Sequence, residues 1–125
     1  MKELKHLMYF ERLLDDAHNE LVRQADAEGA LAIGYTCFHA PEVLLNLGSC
    51  FSVRLRAPHT TSMELATYYM ANNSCEFSRA ILERALEGNY SFLHAMAGVD
   101  VCEANNRANE NKEIMHAQGA DKDKD

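Results

Sequence analysis

Three cysteines of this 125-residue chain, Cys37, Cys75 and Cys102, each stand just ahead of a helical pattern. The partial positive charge at a helix N-terminus favours a thiolate over a thiol by about 0.3–1 kcal/mol in an exposed geometry. Thiolates are the ligands that soft metals and iron–sulfur clusters require. Three cysteines in this setting are compatible with one shared metal site.

The spacing of the cysteines does not by itself identify a metal. The chain has no Cys-x-x-Cys pair, and the long intervals between the three cysteines match no zinc-finger spacing. The alternative is that each thiol is a small buried hydrophobic group. Cys50, at the start of a predicted strand, is interpreted in that way, as a core residue away from the site.

Two polar residues lie beside Cys37 in the sequence. His39 could be a metal ligand, a proton donor or a plain loop residue. Tyr35 could donate a hydrogen bond to a sulfur or to a substrate, and packing is its simpler role.

Two arginines follow the other cysteines at about one helical turn, Arg79 after Cys75 and Arg107 after Cys102. A guanidinium there could offset the negative charge of a thiolate cluster. The alternative for each arginine is an ordinary salt bridge, with Glu83 or with Glu103.

Hydrophobic periodicity and turn residues divide the chain into alternating helices and strands. Helices are predicted at 3–28, 41–47, 63–71, about 73–87 and about 103–116, and strands at 31–35, 51–55 and 92–101. This order favours a small three-layer α/β domain, with a long N-terminal helix and a short, mostly parallel sheet flanked by helices. Asn73 is predicted to cap its helix with Glu76 as capping-box partner.

The predicted topology places the cysteines at one edge of the sheet. In open parallel sheets, ligand sites gather beyond the carboxyl ends of the strands. Cys37 follows the first strand, Cys102 follows the third, and Cys75 opens the helix between the second and third strands. A single domain is expected over residues 1–118, followed by a disordered charged tail at 119–125 that buries nothing.

Composition narrows the classes of partner. The net charge of −7 argues against nucleic acid and anionic membranes, despite a small basic cluster of Arg54, Arg56 and His59. No apolar run approaches the ~20 residues of a membrane span, and the N-terminus lacks the apolar segment of a secretory signal. A cytoplasmic protein with reduced thiols is therefore expected.

Four motifs occur in order between about residues 30 and 112. They are Gly34-Tyr-Thr-Cys37 with Pro41-Glu42, Gly48 with Val53-Arg-Leu55, Cys75-Glu-Phe-Ser-Arg79 with Ala85-Leu-Glu-Gly88, and Phe92-Leu93 with Cys102-Glu103, Arg107 and Glu110-Asn111. In this order they resemble the motifs of the 2-hydroxyacyl-CoA dehydratase and benzoyl-CoA reductase family. Val43 and Glu103 depart from that pattern, in which Glu and Asp are common at these two places.

The resemblance implies a function. Members of that family are anaerobic two-subunit enzymes in which cysteines, typically three, hold a [4Fe–4S] cluster. An ATP-hydrolysing activator supplies one electron. The dehydratases then remove water from a 2-hydroxyacyl-CoA, and the reductases dearomatise benzoyl-CoA. By position, Cys37 and Cys75 would be cluster ligands, with Cys102 as a third ligand or an outer neighbour.

Family members are more than twice as long as this chain, and each of their subunits has two α/β domains. The resemblance therefore implies a truncated member or the N-terminal, cluster-binding domain of such a subunit, not catalytic alone. Its implied partners are a paralogous subunit, the activator and an acyl-CoA substrate. The alternative is a non-catalytic α/β interaction module, or a decayed fragment, whose cysteines are structural or bind zinc and whose exposed apolar patch promotes self-association.

Overall fold

The computed structural model describes the backbone of residues 2–120 and the side chains of residues 3–113. Over that range the chain forms six helices and three strands. In chain order they are α1 Lys2–Asp15, α2 Glu20–Ala27, β1 Leu31–Tyr35, α3 Glu42–Leu45, β2 Cys50–Arg54, α4 Glu64–Thr67, α5 Glu76–Leu86, β3 Ala95–Ala97 and α6 Glu103–Ala120. The predicted α/β domain is confirmed. Of the predicted tail, residues 121–125 lie outside the described residues.

The three strands form one sheet in the order β2-β1-β3, and both pairings are parallel. Leu31 pairs with Cys50, and Ile33 pairs with Ala95. Gly34 in the central strand lies close to Leu93, because a Cβ at this position would be 2.6 Å from Leu93 Cδ1 and that side chain would have to shift. The two parallel pairings confirm the parallel sheet predicted from the alternating pattern.

The N-terminal helix is present but ends at Asp15, so the prediction of one helix over 3–28 is wrong. Asn19 causes the break. Its side-chain oxygen accepts hydrogen bonds from the backbone N–H groups of Leu21 and Val22, at 3.1 and 3.2 Å. An asparagine that satisfies the first N–H groups of a helix starts a new helix rather than continuing the old one.

The buried side chains form two groups that meet at α5. One group packs around the sheet and includes Val22, Val53 and Ile81. The other fills the space between α4, α5 and α6, where Leu82 packs with Ala108 and their neighbours. Helix α5 therefore joins the sheet to the helical layer that carries α6.

The third strand is shorter than the predicted 92–101. Turns occupy the residues before it, with Ser91 N–H donating to the Gly88 carbonyl and Leu93 N–H to the Tyr90 carbonyl. Helix α4 is likewise shorter than predicted. No helix within residues 2–120 is both long and apolar enough to cross a membrane.

Candidate metal centre

Cys37 lies two residues beyond the carboxyl end of β1, in a turn. Its carbonyl oxygen accepts a hydrogen bond of 3.0 Å from the backbone N–H of Ala40. The thiol is half-buried. The next two side chains, Phe38 and His39, are exposed, and their ring centroids are 4.5 Å apart. His39 is therefore a surface residue beside the thiol, accessible but not held in position by a hydrogen bond among the described residues.

Tyr35 ends β1 and is buried, with 4% of its surface exposed. Its hydroxyl donates a hydrogen bond to the Glu42 carboxylate at the start of α3. Burial raises the pKa of Tyr35, and the hydrogen bond to Glu42 raises it further. Tyr35 thus stays protonated and connects the end of β1 to the start of α3.

Cys75 is the N-cap residue of α5, so the prediction that Asn73 caps this helix is wrong. The thiol is exposed and makes no full capping hydrogen bond. Even so, the backbone N–H and the side chain of Ser78 lower the pKa of Cys75 below its ordinary value, against the opposing effect of partial burial. Cys75 therefore forms a thiolate more readily than an ordinary thiol.

Arg79 organises the segment that leads to Cys75. Its guanidinium donates to the Asn72 carbonyl at 3.2 Å and to Thr67 Oγ1 at 3.3 Å. The alternative salt bridge with Glu83 is not formed, because that carboxylate is buried and accepts the backbone N–H of Ala66 at 2.7 Å. Arg79 positions a loop in this structure and points no charge at another charged group that the structure describes.

Cys102 is exposed and immediately precedes α6. Its carbonyl oxygen accepts the N–H of Asn106 at 3.0 Å, the first hydrogen bond of that helix. Arg107 pairs with Glu110 at 3.4 Å, and both side chains are well exposed. The salt bridge of Arg107 is thus formed with Glu110 rather than with Glu103, the partner named in the alternative, and an exposed pair of this type contributes little to stability.

A buried hydrogen bond connects the segments of Cys37 and Cys102. Thr36 Oγ1 donates to Oδ1 of Asn105 over 2.8 Å, between residues 69 positions apart. Both side chains are buried, and the Asn105 amide nitrogen has no partner among the described residues. The sequence pattern did not indicate this pair, because nothing local to a threonine or an asparagine shows a partner so far along the chain.

The described thiols do not form a ready-made metal site. No group of three or more histidine, cysteine, aspartate or glutamate side chains within the described residues could hold a metal ion. Cys50 lies at the opposite, amino end of the sheet and is half-buried rather than in the core as expected. Cys37, Cys75 and Cys102 as arranged therefore do not fit a [4Fe–4S] cluster held by all three.

No protein-family model, curated protein or solved structure matches this chain. What the structure establishes is the class, a small α/β domain with a parallel sheet. The resemblance to the dehydratase and reductase family stays a prediction from the motifs.

Proposed function

We propose that this chain is the iron–sulfur-cluster-binding part of a cytoplasmic acyl-CoA dehydratase. The observation that carries the proposal is the fully parallel sheet, in which the residues after β1 and β3 and the start of the intervening α5 belong to the carboxyl edge. This is where open parallel sheets bind their ligands. The lowered pKa of the Cys75 thiol supports the same assignment, since a ligand thiolate forms more easily there.

The proposal requires a change at this edge, because the described thiols are not assembled around one point. Cys37 and Cys102 lie outside regular helices and strands, so their loops are the parts that would have to adjust. Further ligands could come from a paralogous subunit. A bound cluster would supply one-electron chemistry to an acyl-CoA substrate after reduction by an ATP-dependent activator.

Anaerobic reconstitution with iron and sulfide tests this proposal. The full chain should turn brown and bind close to four iron atoms per protein. Cys37→Ser and Cys75→Ser should lose most of the iron, whereas the control Cys50→Ser should keep it. A colourless wild-type protein, or equal iron content in all three variants, would contradict cluster binding.

A second candidate function is a non-catalytic interaction module, and the exposed apolar side chains favour it. Helix α1 exposes Leu4, Leu7, Met8 and Phe10 by more than half of their surface, and it buries no side chain among its described residues. A helix with this much uncovered apolar surface is typical of association sites.

Sedimentation velocity of the reduced chain over a hundredfold concentration range tests this second function. Association should be concentration-dependent and weaker in Leu7→Gln. Leu47→Gln, at a comparably exposed leucine on the loop after α3, is the control. A monomer at every concentration would contradict the interaction module without bearing on cluster binding.

A further inference from the structure

A cavity of about 540 Å³ lies along the open edge of β3, between the end of α5 and the middle of α6. Its apolar wall includes Ala85, Leu93 and Met96. It contains none of the four cysteines. Pockets of this size and lining typically hold a small organic ligand whose orientation is fixed by a few polar groups.

Lys112 is the cationic group of this cavity. Burial lowers the pKa of Lys112 to about 8, because the ammonium has lost much of its water. Its only hydrogen-bond partner among the described residues is Asn109 Oδ1 at 3.4 Å, and none of the ion pairs in that part of the chain includes it. Glu113 also lines the cavity but is exposed and lies beyond salt-bridge distance. Within residues 3–113 the ammonium therefore has no anionic partner.

His94 provides a second donor. Its Nδ1 accepts the backbone N–H of Ala32 at 3.0 Å, which assigns the ring hydrogen to Nε2 when the imidazole is neutral. Tyr90, another polar residue of the wall, is already committed, since its hydroxyl donates to the Arg56 carbonyl at 2.8 Å. Lys112 and His94 are thus two donors of the wall that remain able to bond a ligand, and a cation beside a second donor favours an anion.

We propose that this cavity binds a small monocarboxylic acid with an apolar body. The carboxylate pairs with Lys112 and accepts a hydrogen bond from His94 Nε2, while the apolar body packs against Leu93 and Met96. One cation and an apolar wall match one negative charge on an apolar molecule. A phosphate would bring a second charge with no second cation, close to the Glu113 carboxylate.

Calorimetric titration with octanoate, octanol and inorganic phosphate tests this inference on the full chain. Wild-type protein should bind octanoate at least tenfold more tightly than octanol. Lys112→Met should weaken octanoate binding at least tenfold without changing the affinity for octanol, and Lys112→Arg should retain most of the octanoate affinity. Lys5→Met, which removes an exposed lysine on α1, is the matched control and should behave as wild type.

Three results would overturn the inference: no octanoate binding by the folded wild type, equal octanoate affinity in Lys112→Met, or tighter binding of phosphate than of octanoate. Circular dichroism of each variant establishes that it is folded. Because the cavity contains no cysteine, the same titration of iron-free protein gives a result that is independent of cluster binding.

Discussion

The carboxyl edge that carries the cysteines and the cavity at Lys112 belong to the same sheet but differ in how their side chains come together. At the cysteine edge, Cys75 and Cys102 are exposed and stand on separate segments. In the cavity, side chains from α5, β3 and α6 surround one volume. Strand order determines which edge a residue occupies, whereas convergence on one point depends on packing between elements.

The largest loss of stability is expected at Leu82, because α5 and α6 contribute residues to both regions. Leu82 is fully buried between α5 and α6, and α6 begins beside Cys102 and carries Lys112. Leu82→Ala should lower the free energy of unfolding by about 2–5 kcal/mol through lost burial and the cavity left behind. Urea unfolding followed by circular dichroism measures this loss. Leu44→Ala, which truncates an exposed leucine, should change it by less than about 0.5 kcal/mol.

The second prediction affects only the cavity. Since the pKa of Lys112 is about 8 in the folded chain and about 10.4 in an unfolded one, the unfolded state binds more protons between these values. Stability should therefore rise with pH across this window by at most about 3 kcal/mol relative to Lys112→Met. Unfolding both proteins at pH 7 and pH 10 measures the difference, and Tyr90, His94 and Glu113 are common to both. A constant difference would show that the Lys112 ammonium is solvated.

The third prediction affects only the cysteine edge. Thr36→Val removes the donor to Asn105 and leaves a buried amide oxygen unpaired, which should cost about 1–3 kcal/mol. The Cys37 thiol should react faster with a disulfide reagent, while octanoate binding at Lys112 stays unchanged. The control Thr61→Val alters an exposed threonine and should leave both the stability and the thiol reaction rate as in wild type.

The smallest effect concerns Cys75. Because its pKa is lowered chiefly by Ser78, alkylation by iodoacetamide in a Cys75-only variant should reach half its maximal rate below the ordinary thiol pKa. Ser78→Ala removes the hydroxyl and keeps the backbone N–H, so the midpoint should rise only in part. In denaturant the midpoint should return to the ordinary value. An unchanged midpoint on unfolding would show that the helix start does not activate this thiol.

The sequence pattern predicted the parts of the fold that depend on local residue order. Strand β1 and helix α5 fall close to their expected bounds. Gly29 follows α2 just before β1, and Gly88 follows the end of α5, and each takes a positive φ angle that ends the helix before it. The break at Asn19 was missed, since an asparagine within an amphipathic pattern is compatible with both continuation and capping.

The sequence pattern indicated one of the two candidate sites and not the other. The motifs pointed to the cysteines, but these are not gathered into a group of three or more ligands among the described residues. Lys112 follows the Glu110-Asn111 pair of the fourth motif but is not part of it, and its burial accompanies the packing of α6 against α5 beside the cavity. A lysine placed in an apolar cavity by tertiary packing leaves no periodic signal in the sequence.

The register of the sheet has a consequence for the order of folding. The pairing of β1 with β2 closes a short loop, since Leu31 meets Cys50, whereas Ala32 meets His94 across 62 residues. Because closing a longer loop costs more entropy, we expect β1 and β2 to associate first and β3 to join them later. The cavity at Lys112 would then be the last part of the molecule to form, and the first to open when the chain begins to unfold.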